Sequence, residues 1–314
     1  MIRLSVIVPF YNVEQYIEQC IRSLYDQDIP QEEYEVICVD DCSPDGSRTI
    51  VERLQMEYPT LRLICHEQNK RLGGARNTGL KAAKGKYVWF VDSDDYVVSN
   101  CFNDLLQVAE ENLLDILHFE YLEDRNGKIT RYFPKQDDSD VLNGADLFFR
   151  GEGNWHIHYV VAWQKIYRRV FLIGNQIYFQ EHVMFEDNEY AFKAFANAKR
   201  AKHVNITAYI YRENSTSVTR EVYQAQHLIW LLDTSISISG LIRRLEQKDI
   251  RFAEAARKYV RDTVYKVNWY VRKLPAAEQR KVRSYFHIGR YMRLYPQLTH
   301  RMRVELLKTI YVQR

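Results

Sequence analysis

The first hundred residues alternate between short, continuous apolar runs and longer segments in which apolar residues recur every three or four positions. The short runs predict buried strands over residues 4–9, 34–39, 61–65 and 86–91. The longer segments predict helices over residues 13–27, 47–58 and 74–84. Strands that alternate with helices of this length indicate right-handed βαβ crossovers and a parallel sheet, so the pattern predicts an α/β fold.

The pattern becomes mixed after about residue 100. It predicts helices over 101–114 and 189–198, and a hairpin of strands 116–122 and 129–133 around Asn126-Gly127. From Val222 onward amphipathic helices dominate, with breaks near Pro275 and Pro296. We therefore divide the chain into residues 1–100, 101–221 and 222–314.

Length and composition exclude several classes of protein. A chain of 314 residues with 46% hydrophobic content is typical of a globular protein with a substantial core. No apolar run approaches the roughly 20 residues of a membrane span, so we expect a cytoplasmic protein. The five cysteines include no CxxC pair, which favours reduced thiols over disulfides or a zinc site.

The formal charge of +3 is unevenly distributed. From Val222 to the end there are 19 Lys and Arg against 7 Asp and Glu, a net +12, whereas the first 221 residues carry −9. A C-terminal tail with this charge is suited to binding an anionic surface on the inner face of a membrane, or to forming a homodimer contact beside that surface. The alternative is a set of packed helices with solvated or paired arginines. No recognised nucleic-acid-binding module accompanies the basic residues, so no nucleic acid partner is expected.

Polar segments follow the four predicted strands, at Pro9-Phe-Tyr11-Asn12, Asp40–Asp45, Glu67–Asn69 and Asp92-Ser93-Asp94. Because ligands bind beyond the carboxyl ends of parallel strands, we expect these segments to converge on one site. The last segment runs into Asp95 and so places three carboxylates within four positions. Like charges this close either cap a helix or bind a cation.

Three other classes of nucleotide-binding enzyme are disfavoured. A dinucleotide-binding oxidoreductase needs a glycine-rich turn after the first strand, and residues 9–13 contain no glycine. The absence of a P-loop argues against a kinase or NTPase. A sugar nucleotidyltransferase usually has a loop with glycine and lysine early in the chain, and this sequence has none.

Five segments together resemble family 2 glycosyltransferases with the GT-A fold: SVIVPFYN (5–12), VDDCSPDGS (39–47), GGARNTGLKAAKGKYVWFVDSDD (73–95), WQKIYRR (163–169) and FED (185–187). The resemblance implies a mostly parallel central sheet flanked by helices. It assigns the nucleotide-sugar-binding half to residues 1–100, the acceptor-binding half to 101–221 and a basic helical region to 222–314. It also implies inverting, metal-dependent transfer of a hexose or N-acetylhexosamine from a UDP-sugar to a hydroxyl of a glycan or lipid-linked glycan precursor.

Asp92-Ser93-Asp94 resembles the DxD motif of that family. The resemblance implies that Asp94, together with Asp92, holds Mn²⁺ or Mg²⁺, which neutralises the charge growing on the departing nucleoside diphosphate. Alternation along an extended segment predicts that Asp92 and Asp94 lie on the same side, with Asp95 in a structural role. The alternative is an acidic helix cap before Ser99 and Asn100.

The resemblance implies nucleotide-sugar contacts for Pro9, Tyr11, Asn12, Asp41, Asn69, Gly74, Arg76, Asp92, Ser93 and Arg212. Asp41 would accept a hydrogen bond from the base or ribose of the nucleotide. The alternative is that this loop aspartate only forms the hydrogen bonds that are common in turns. Arg76 at a helix start suits a diphosphate, and the alternative is a surface salt bridge. Arg212 would reach a phosphate or have only a surface role.

The pair Glu186-Asp187 resembles the ED pair of the family, whose aspartate is the general base for the acceptor hydroxyl. Asp187 is therefore the predicted base and Glu186 the second candidate. The alternative is acidic charge that complements the dipole of the following helix.

Acceptor contacts are predicted for Trp155, His156, His158 and Trp163. The two histidines would share one strand face, but a metal pair lacks a third ligand, and plain packing is the alternative. A non-catalytic protein that binds a nucleotide sugar or a partner is the alternative for the whole chain. It is disfavoured because all the expected carboxylates are present.

Overall fold

The computed structural model describes residues 1–131, 136–150, 160–213 and 224–311. In these ranges the strands are β1 (Leu4–Phe10), β2 (Tyr34–Asp40), β3 (Leu61–Cys65), β4 (Tyr87–Phe90), β5 (Tyr96–Val97), β6 (Ile116–Arg125), β7 (Lys128–Thr130), β8 (Lys165–Arg168) and β9 (Ala201–Arg212). The helices are α1 (Ile17–Tyr25), α2 (Ser47–Glu57), α3 (Arg71–Ala82), α4 (Phe102–Glu111), α5 (Gly144–Phe148), α6 (Arg169–Gly174), α7 (Glu186–Asn197), α8 (Ala225–Lys248), α9 (Ile250–Val271), α10 (Ala276–Tyr285), α11 (Ile288–Leu294) and α12 (His300–Tyr311).

The described strands form one mixed sheet in the order β3-β2-β1-β4-β8-β6-β9-β5, and β7 pairs with β6. The pairs β1–β2, β1–β4 and β2–β3 are parallel, as the βαβ pattern predicts. β8 is antiparallel to both of its neighbours, β4 and β6. Since Trp89 of β4 pairs with Ile166 of β8, the first residue of β8, Lys165, lies level with the carboxyl end of β4.

Both faces of the sheet are covered by helices. Every residue of β1 is buried, and its side chains alternate between two cores. Val6 and Val8 pack with apolar residues of α1, α2 and α4. Ile7 belongs to the opposite core, together with residues of α3, α7 and the C-terminal helices. The predicted α/β class with a helical C-terminal region is therefore confirmed.

The C-terminal helices complete one of these two cores. Phe252 of α9 is fully buried, and its ring centroid lies 5.2 Å from that of Phe148 and 6.4 Å from that of Phe192 on α7. Thr234 of α8 donates from its hydroxyl to the backbone carbonyl of Met184 at 3.2 Å. The basic region thus supports the segment that leads into α7. None of the described helices is long and apolar enough to cross a membrane.

Three predicted helix starts are wrong, and three strands were not predicted. α3 begins at Arg71 rather than residue 74. The first helix begins at Ile17 rather than residue 13, because the N–H groups of Tyr16 and Ile17 both donate to the Val13 carbonyl in a turn. α7 begins at Glu186 rather than residue 189, so the acidic pair lies inside its first turn. β8 and β9 lie where the hydrophobic pattern is mixed, and β5 has only two residues, too few for a pattern.

Candidate active site

The loop after β2 is tied to the start of α3 through the buried carboxylate of Asp41. Its Oδ1 accepts from the backbone N–H of Lys70 at 2.8 Å and lies 2.7 Å from His66 Nδ1. His66 Nε2 lies 2.8 Å from Thr78 Oγ1, and the side chain of Asn69 donates to the Asp41 carbonyl at 2.9 Å. The turn hydrogen bonds of this loop are instead made by Asp40 and Asp45, whose carboxylates accept from the N–H groups of Ser43 and Ser47. Contact of Asp41 with a nucleotide stays a prediction.

The end of β1 supplies an exposed surface beside this loop. Pro9 is buried within β1, whereas Tyr11 is 50% exposed and Asn12 is exposed with a left-handed φ of 57°. Gly74 is buried in α3, where a Cβ would lie 2.4 Å from Cβ of Lys70. The absence of a side chain at Gly74 thus lets the α3 start fold tightly against the loop.

The centre of the site is the guanidinium of Arg76, which α3 places beneath the end of β4. The residue is 1% exposed. Its Nη2 donates to Asp92 Oδ1 at 2.7 Å. Its Nη1 donates to Glu186 Oε1 at 2.9 Å and to Asp187 Oδ1 at 2.6 Å. The surface salt bridge considered for Arg76 is wrong because the side chain is buried, while its contact with a diphosphate stays a prediction.

Electrostatics separate the two carboxylates of the acidic pair. Burial opposes the charge on Arg76, but Asp187, Asp92 and Glu186 outweigh it and raise the Arg76 pKa. Burial, assisted by the charge of Asp187 and opposed by Arg76, raises the pKa of Glu186 above its usual range. A carboxyl group that retains its proton cannot accept another, so Glu186 is the poorer general base.

The acidic pair also differs in access. Phe185, which precedes α7, has a left-handed φ of 66° and turns the chain abruptly into the helix. In the first turn, 6% of the Glu186 side chain is exposed against 20% for Asp187. The second carboxylate oxygen of Asp187, Oδ2, accepts from the backbone N–H of Ala162 at 3.2 Å. Asp187 is therefore the more solvent-accessible member of the pair.

The three aspartates after β4 lie in a turn. The Asp95 N–H donates to the Asp92 carbonyl at 3.1 Å, so the predicted extended segment is wrong: the chain reverses directly after β4 to reach β5. Asp92 and Asp94 are nevertheless both partly exposed, whereas Ser93 and Asp95 are buried. The turn thus still presents the first and third positions of the motif to solvent.

Asp95 has its partners inside the protein. Its Oδ2 accepts from the Tyr209 hydroxyl and its Oδ1 from the Arg212 N–H, both at 2.7 Å. The Arg212 guanidinium lies 4.9 Å from the ring centroid of Tyr16 and 5.2 Å from that of Tyr96. These contacts hold Arg212 at the same edge as the aspartate turn, where its charge opposes the raised pKa of Asp94.

The remaining aspartate of the turn is suited to a cation. Burial and the charge of Asp92 raise the pKa of Asp94 to about 6, so its ionised form lacks compensation. No group of three or more His, Cys, Asp or Glu side chains in the described ranges could by itself hold a metal ion. Mg²⁺ and Mn²⁺ in phosphate-transfer sites are commonly bound by one or two carboxylates plus substrate phosphates, and Asp94 with Asp92 fits that pattern.

The structure describes only one of the four residues predicted to contact the acceptor. Trp155, His156 and His158 lie outside the described residues. Trp163 is 7% exposed, and its ring stacks on Tyr209 at a centroid distance of 4.4 Å. Tyr121 meets it edge-on at 5.0 Å. The ring is thus largely covered by the core, which leaves little of its surface for the acceptor contact predicted for Trp163.

Three residues of the site were not singled out from the sequence: His66, Lys165 and Tyr209. Lys165 lies within the WQKIYRR segment, and a lysine in a segment that resembles the family was the available signal; its burial is seen only in the structure. His66 and Tyr209 gave no signal, because their roles depend on contacts with Asp41 and Asp95 that are distant in sequence.

Comparison with known proteins assigns the chain to a family. Residues 5–174 match the model described as glycosyl transferase family 2, which is more than half of the chain. The chain therefore belongs to glycosyl transferase family 2, as the five sequence segments predict. The crystal structure of Staphylococcus aureus TarS 1–349 in complex with UDP-GlcNAc superimposes with a TM-score of 0.72 at 25% identity, covering 98% of this chain and 89% of that one. The predicted GT-A fold is thus confirmed.

Sequence relatives are also glycosyltransferases. The chain is 37% identical to EpsJ of Bacillus subtilis over 70% of its length and 64% of that protein. It is 36% identical to the poly(ribitol-phosphate) β-N-acetylglucosaminyltransferase TarS of S. aureus over 67% of its length and 35% of that protein. With YibD of Escherichia coli it shares 30% identity over 93% of its length and 86% of that protein. The chain thus spans between about a third and two thirds of EpsJ and TarS.

The uncompensated charge of Asp94 predicts that Asp94→Asn stabilises the metal-free protein. An ordinary aspartate has a pKa of about 3.9. Because the folded-state pKa is raised to about 6, ionised Asp94 disfavours the folded state above that pH, and the penalty fades as the pH falls toward the unfolded value. We expect a higher Tm for Asp94→Asn than for wild type with EDTA at about pH 8, and a much smaller difference at about pH 4.

The matched control for this measurement is Asp104→Asn, which changes an exposed aspartate in the first turn of α4. It should not raise the Tm at either pH. An Asp94→Asn variant that is equally or less stable than wild type at about pH 8 would contradict the electrostatic account of the turn.

Proposed function

We propose that this chain is an inverting, metal-dependent glycosyltransferase that moves a hexose or N-acetylhexosamine from a UDP-sugar to a hydroxyl of a glycan or lipid-linked glycan precursor. The observation that carries the proposal is the junction at Arg76. There the aspartate turn after β4 and Asp187 of α7 are each one hydrogen bond from the same guanidinium. A carboxylate for a metal and a carboxylate for proton transfer are therefore fixed close together, as sugar transfer requires.

We place the donor at the carboxyl ends of the parallel strands β1 to β4, which we call the parallel half-sheet. We assign the base and ribose to the exposed surface of Tyr11 and Asn12 and to Asp41, and the diphosphate to the start of α3 near Asn69 and Gly74. UDP is supported by the TarS structures, which contain UDP-GlcNAc or UDP and match 98% of this chain. Residues 1–100 are accordingly the nucleotide-sugar half and residues 101–221 the acceptor half.

The proposed metal ligands are Asp94 and Asp92. They would hold Mn²⁺ or Mg²⁺ together with phosphate oxygens of the donor. When bound, the ion supplies positive charge against the negative charge that develops on the departing diphosphate. Arg212, stacked between Tyr16 and Tyr96, adds a guanidinium at the same edge.

The proposed general base is Asp187. It removes the proton of the acceptor hydroxyl while that oxygen bonds to the anomeric carbon and the bond from that carbon to UDP breaks on the opposite face. Such a single displacement inverts the anomeric configuration. Hydrogen bonds from Arg76 to Oδ1 and from Ala162 to Oδ2 fix the plane of the carboxylate, which is preorganisation for this step.

For the acceptor we propose only its chemical class. A hydroxyl within reach of Asp187 is required, and the exposed fraction of that side chain provides the access. The name of TarS gives poly(ribitol-phosphate) as its acceptor, and that protein is about three times longer than the matched region. For this chain we propose a glycan or lipid-linked glycan precursor.

Donor binding tests the class of function directly. In a thermal-shift screen of nucleotide sugars with Mn²⁺, the true donor at 100 times its dissociation constant should raise the free energy of unfolding by about 2.7 kcal/mol. Asp94→Ala should lose the Mn²⁺-dependent part of that shift, whereas Asp104→Ala should retain it. A full Mn²⁺-dependent shift in Asp94→Ala would contradict the metal assignment. Donor binding without transfer or donor hydrolysis would favour the non-catalytic alternative.

Substitution of the base separates the two members of the acidic pair. Asp187→Asn should keep donor affinity and lower kcat by roughly 10²- to 10⁴-fold, because the amide cannot accept the proton. Glu186→Gln should have a much smaller effect, since a protonated Glu186 and a glutamine have the same shape and charge. Steady-state kinetics of both variants check this. Normal kcat in Asp187→Asn together with an inactive Glu186→Gln would show that Glu186 is the base.

We also propose that the basic tail attaches the protein peripherally to an anionic membrane surface on the cytoplasmic side, where a lipid-linked acceptor would be presented. Ile242, Leu245 and Phe252 are buried in the core and do not contribute. The exposed side chains of this region include basic ones, such as Arg243 and Arg244, and two aromatic ones, Tyr265 (69% exposed) and Trp269 (47%). Basic residues near an anionic leaflet contribute about 1 kcal/mol each.

Liposome co-sedimentation tests this attachment. Because the tail completes the core, point substitutions are more suitable than truncation. The full chain should pellet with anionic vesicles at low salt, and less at high salt or with neutral vesicles. Arg243→Glu with Arg244→Glu should weaken pelleting, whereas the charge-matched pair Lys128→Glu and Lys199→Glu should not. Failure of the wild-type chain to pellet with anionic vesicles would exclude the membrane proposal and leave the transferase proposal intact.

A further inference from the structure

Lys165, the first residue of β8, is completely buried beside the proposed base. Its Nζ donates to the backbone carbonyl of Val161 and lies 5.7 Å from the ring centroid of Phe195. Within the described ranges, no carboxylate is close enough to form an ion pair with this amine. Lys165 is thus a buried basic group whose direct hydrogen-bond partner is a peptide carbonyl.

Burial of such a group lowers the stability of the fold. Burial lowers the pKa of Lys165 to about 7, and the charge of Asp187 acts in the opposite direction. An aliphatic side chain of similar length would fill the same space without desolvating an amine. Buried ionisable groups of this kind are concentrated at functional sites, where their charge or hydrogen bond is used.

The connection to the base is made by one peptide unit. The carbonyl that accepts from Lys165 and the N–H that donates to Asp187 Oδ2 at 3.2 Å both belong to the peptide between Val161 and Ala162. Hydrogen bonds in series polarise one another, so a donor on the carbonyl strengthens the N–H on the other side. The other oxygen of Asp187 accepts from Arg76 at 2.6 Å. Both oxygens are thereby linked to buried basic side chains, one directly and one through a peptide.

We propose that Lys165 is a positioning residue for Asp187, which acts through the Val161–Ala162 peptide to fix the orientation of the carboxylate and to favour its ionised form. This inference rests on the proposed function, because it gives Asp187 the role of general base. Lys165 itself does not touch the reacting atoms. It adjusts the group that does.

Three roles for Lys165 give different kinetic results. A residue that only packs would change the Tm and leave kcat unchanged. A residue that binds the acceptor would raise the acceptor KM. A residue that positions the base should lower kcat with little change in either KM, because the interaction is made to a group whose alignment matters in the transition state.

The decisive variant is Lys165→Met, which keeps an unbranched side chain and removes the charge and the donor. We expect kcat to fall about tenfold to 100-fold, the typical effect of a misplaced catalytic group, with both KM values within about twofold of wild type. The acid limb of the kcat profile should move to higher pH, because loss of a cation and of a polarised donor disfavours an ionised carboxylate. The other groups that interact electrostatically with Asp187 are unchanged in this variant: Arg76, Asp92, Glu186, Tyr167 and Tyr190.

Two further variants complete the test. Lys193→Met is the matched control, because Lys193 lies on α7 and pairs with Glu189; its kcat and pH profile should equal those of wild type. Lys165→Gln retains a donor without the charge and should have a kcat between those of Lys165→Met and wild type. Hydrogen exchange of the Ala162 amide gives a readout independent of turnover, and exchange should be faster in Lys165→Met.

The outcomes are distinct. Lower kcat, a displaced acid limb and faster Ala162 exchange in Lys165→Met, none of them present in Lys193→Met, would support the positioning role. Wild-type kcat in a folded Lys165→Met, or a change confined to the acceptor KM, would overturn it. If Lys165→Met fails to fold, wild-type kcat in Lys165→Gln overturns it equally. Absence of transfer by the wild-type chain with every donor would instead overturn the proposed function, and the base-positioning role with it.

Discussion

The site depends on one buried guanidinium. Arg76 is the cation that allows Asp92, Glu186 and Asp187 to approach one point beneath the end of β4. Without it, three carboxylates at this distance would repel one another in a poorly solvated region. A buried charge cluster of this kind adds little net stability, because desolvation offsets the Coulombic attraction. Its importance is geometric: it joins the turn that begins at Asp92 to a helix that begins at Glu186, 94 residues later in the chain.

The rest of the fold explains why the two elements can meet. The reversal at β8 brings residues 161–165 level with the carboxyl end of β4, so the peptide that contacts Asp187 comes from the same edge of the sheet. The left-handed Phe185 turns the chain into α7. The hydroxyl of Thr234 then holds the preceding carbonyl, that of Met184, from the C-terminal side. The basic C-terminal region therefore supports the helix that carries Asp187, the proposed base, whatever surface its exposed side chains contact.

The sequence carried enough information for the parallel half-sheet but not for its mixed half. Residues 61–65 could be predicted exactly as β3 because each half-sheet strand is a short apolar run between helices. β8 and β9 could not, since Lys165 and His203 are buried polar residues that interrupt the apolar pattern and are accommodated only by tertiary contacts. The acidic residues were found through their motifs. The pairing of Arg76 with them was not, because a hydrogen bond across 111 residues leaves no local trace in the sequence.

The charges of the site fall into two groups, and the division follows from what each group must do. Asp187, Asp92 and Asp95 have donors within the protein and are held in place before any ligand arrives. Burial raises the pKa of Asp92 and Asp95 as well as that of Asp94, which reaches about 6. Asp94 differs because, within the described ranges, its carboxylate has no hydrogen-bond donor of the kind that Asp92 finds in Arg76 and Asp95 in Tyr209. An uncompensated carboxylate of this kind lowers the stability of the fold, as residues at functional sites often do. The arrangement thus suits a ligand that brings its own cation, since its binding would relieve the repulsion among these aspartates.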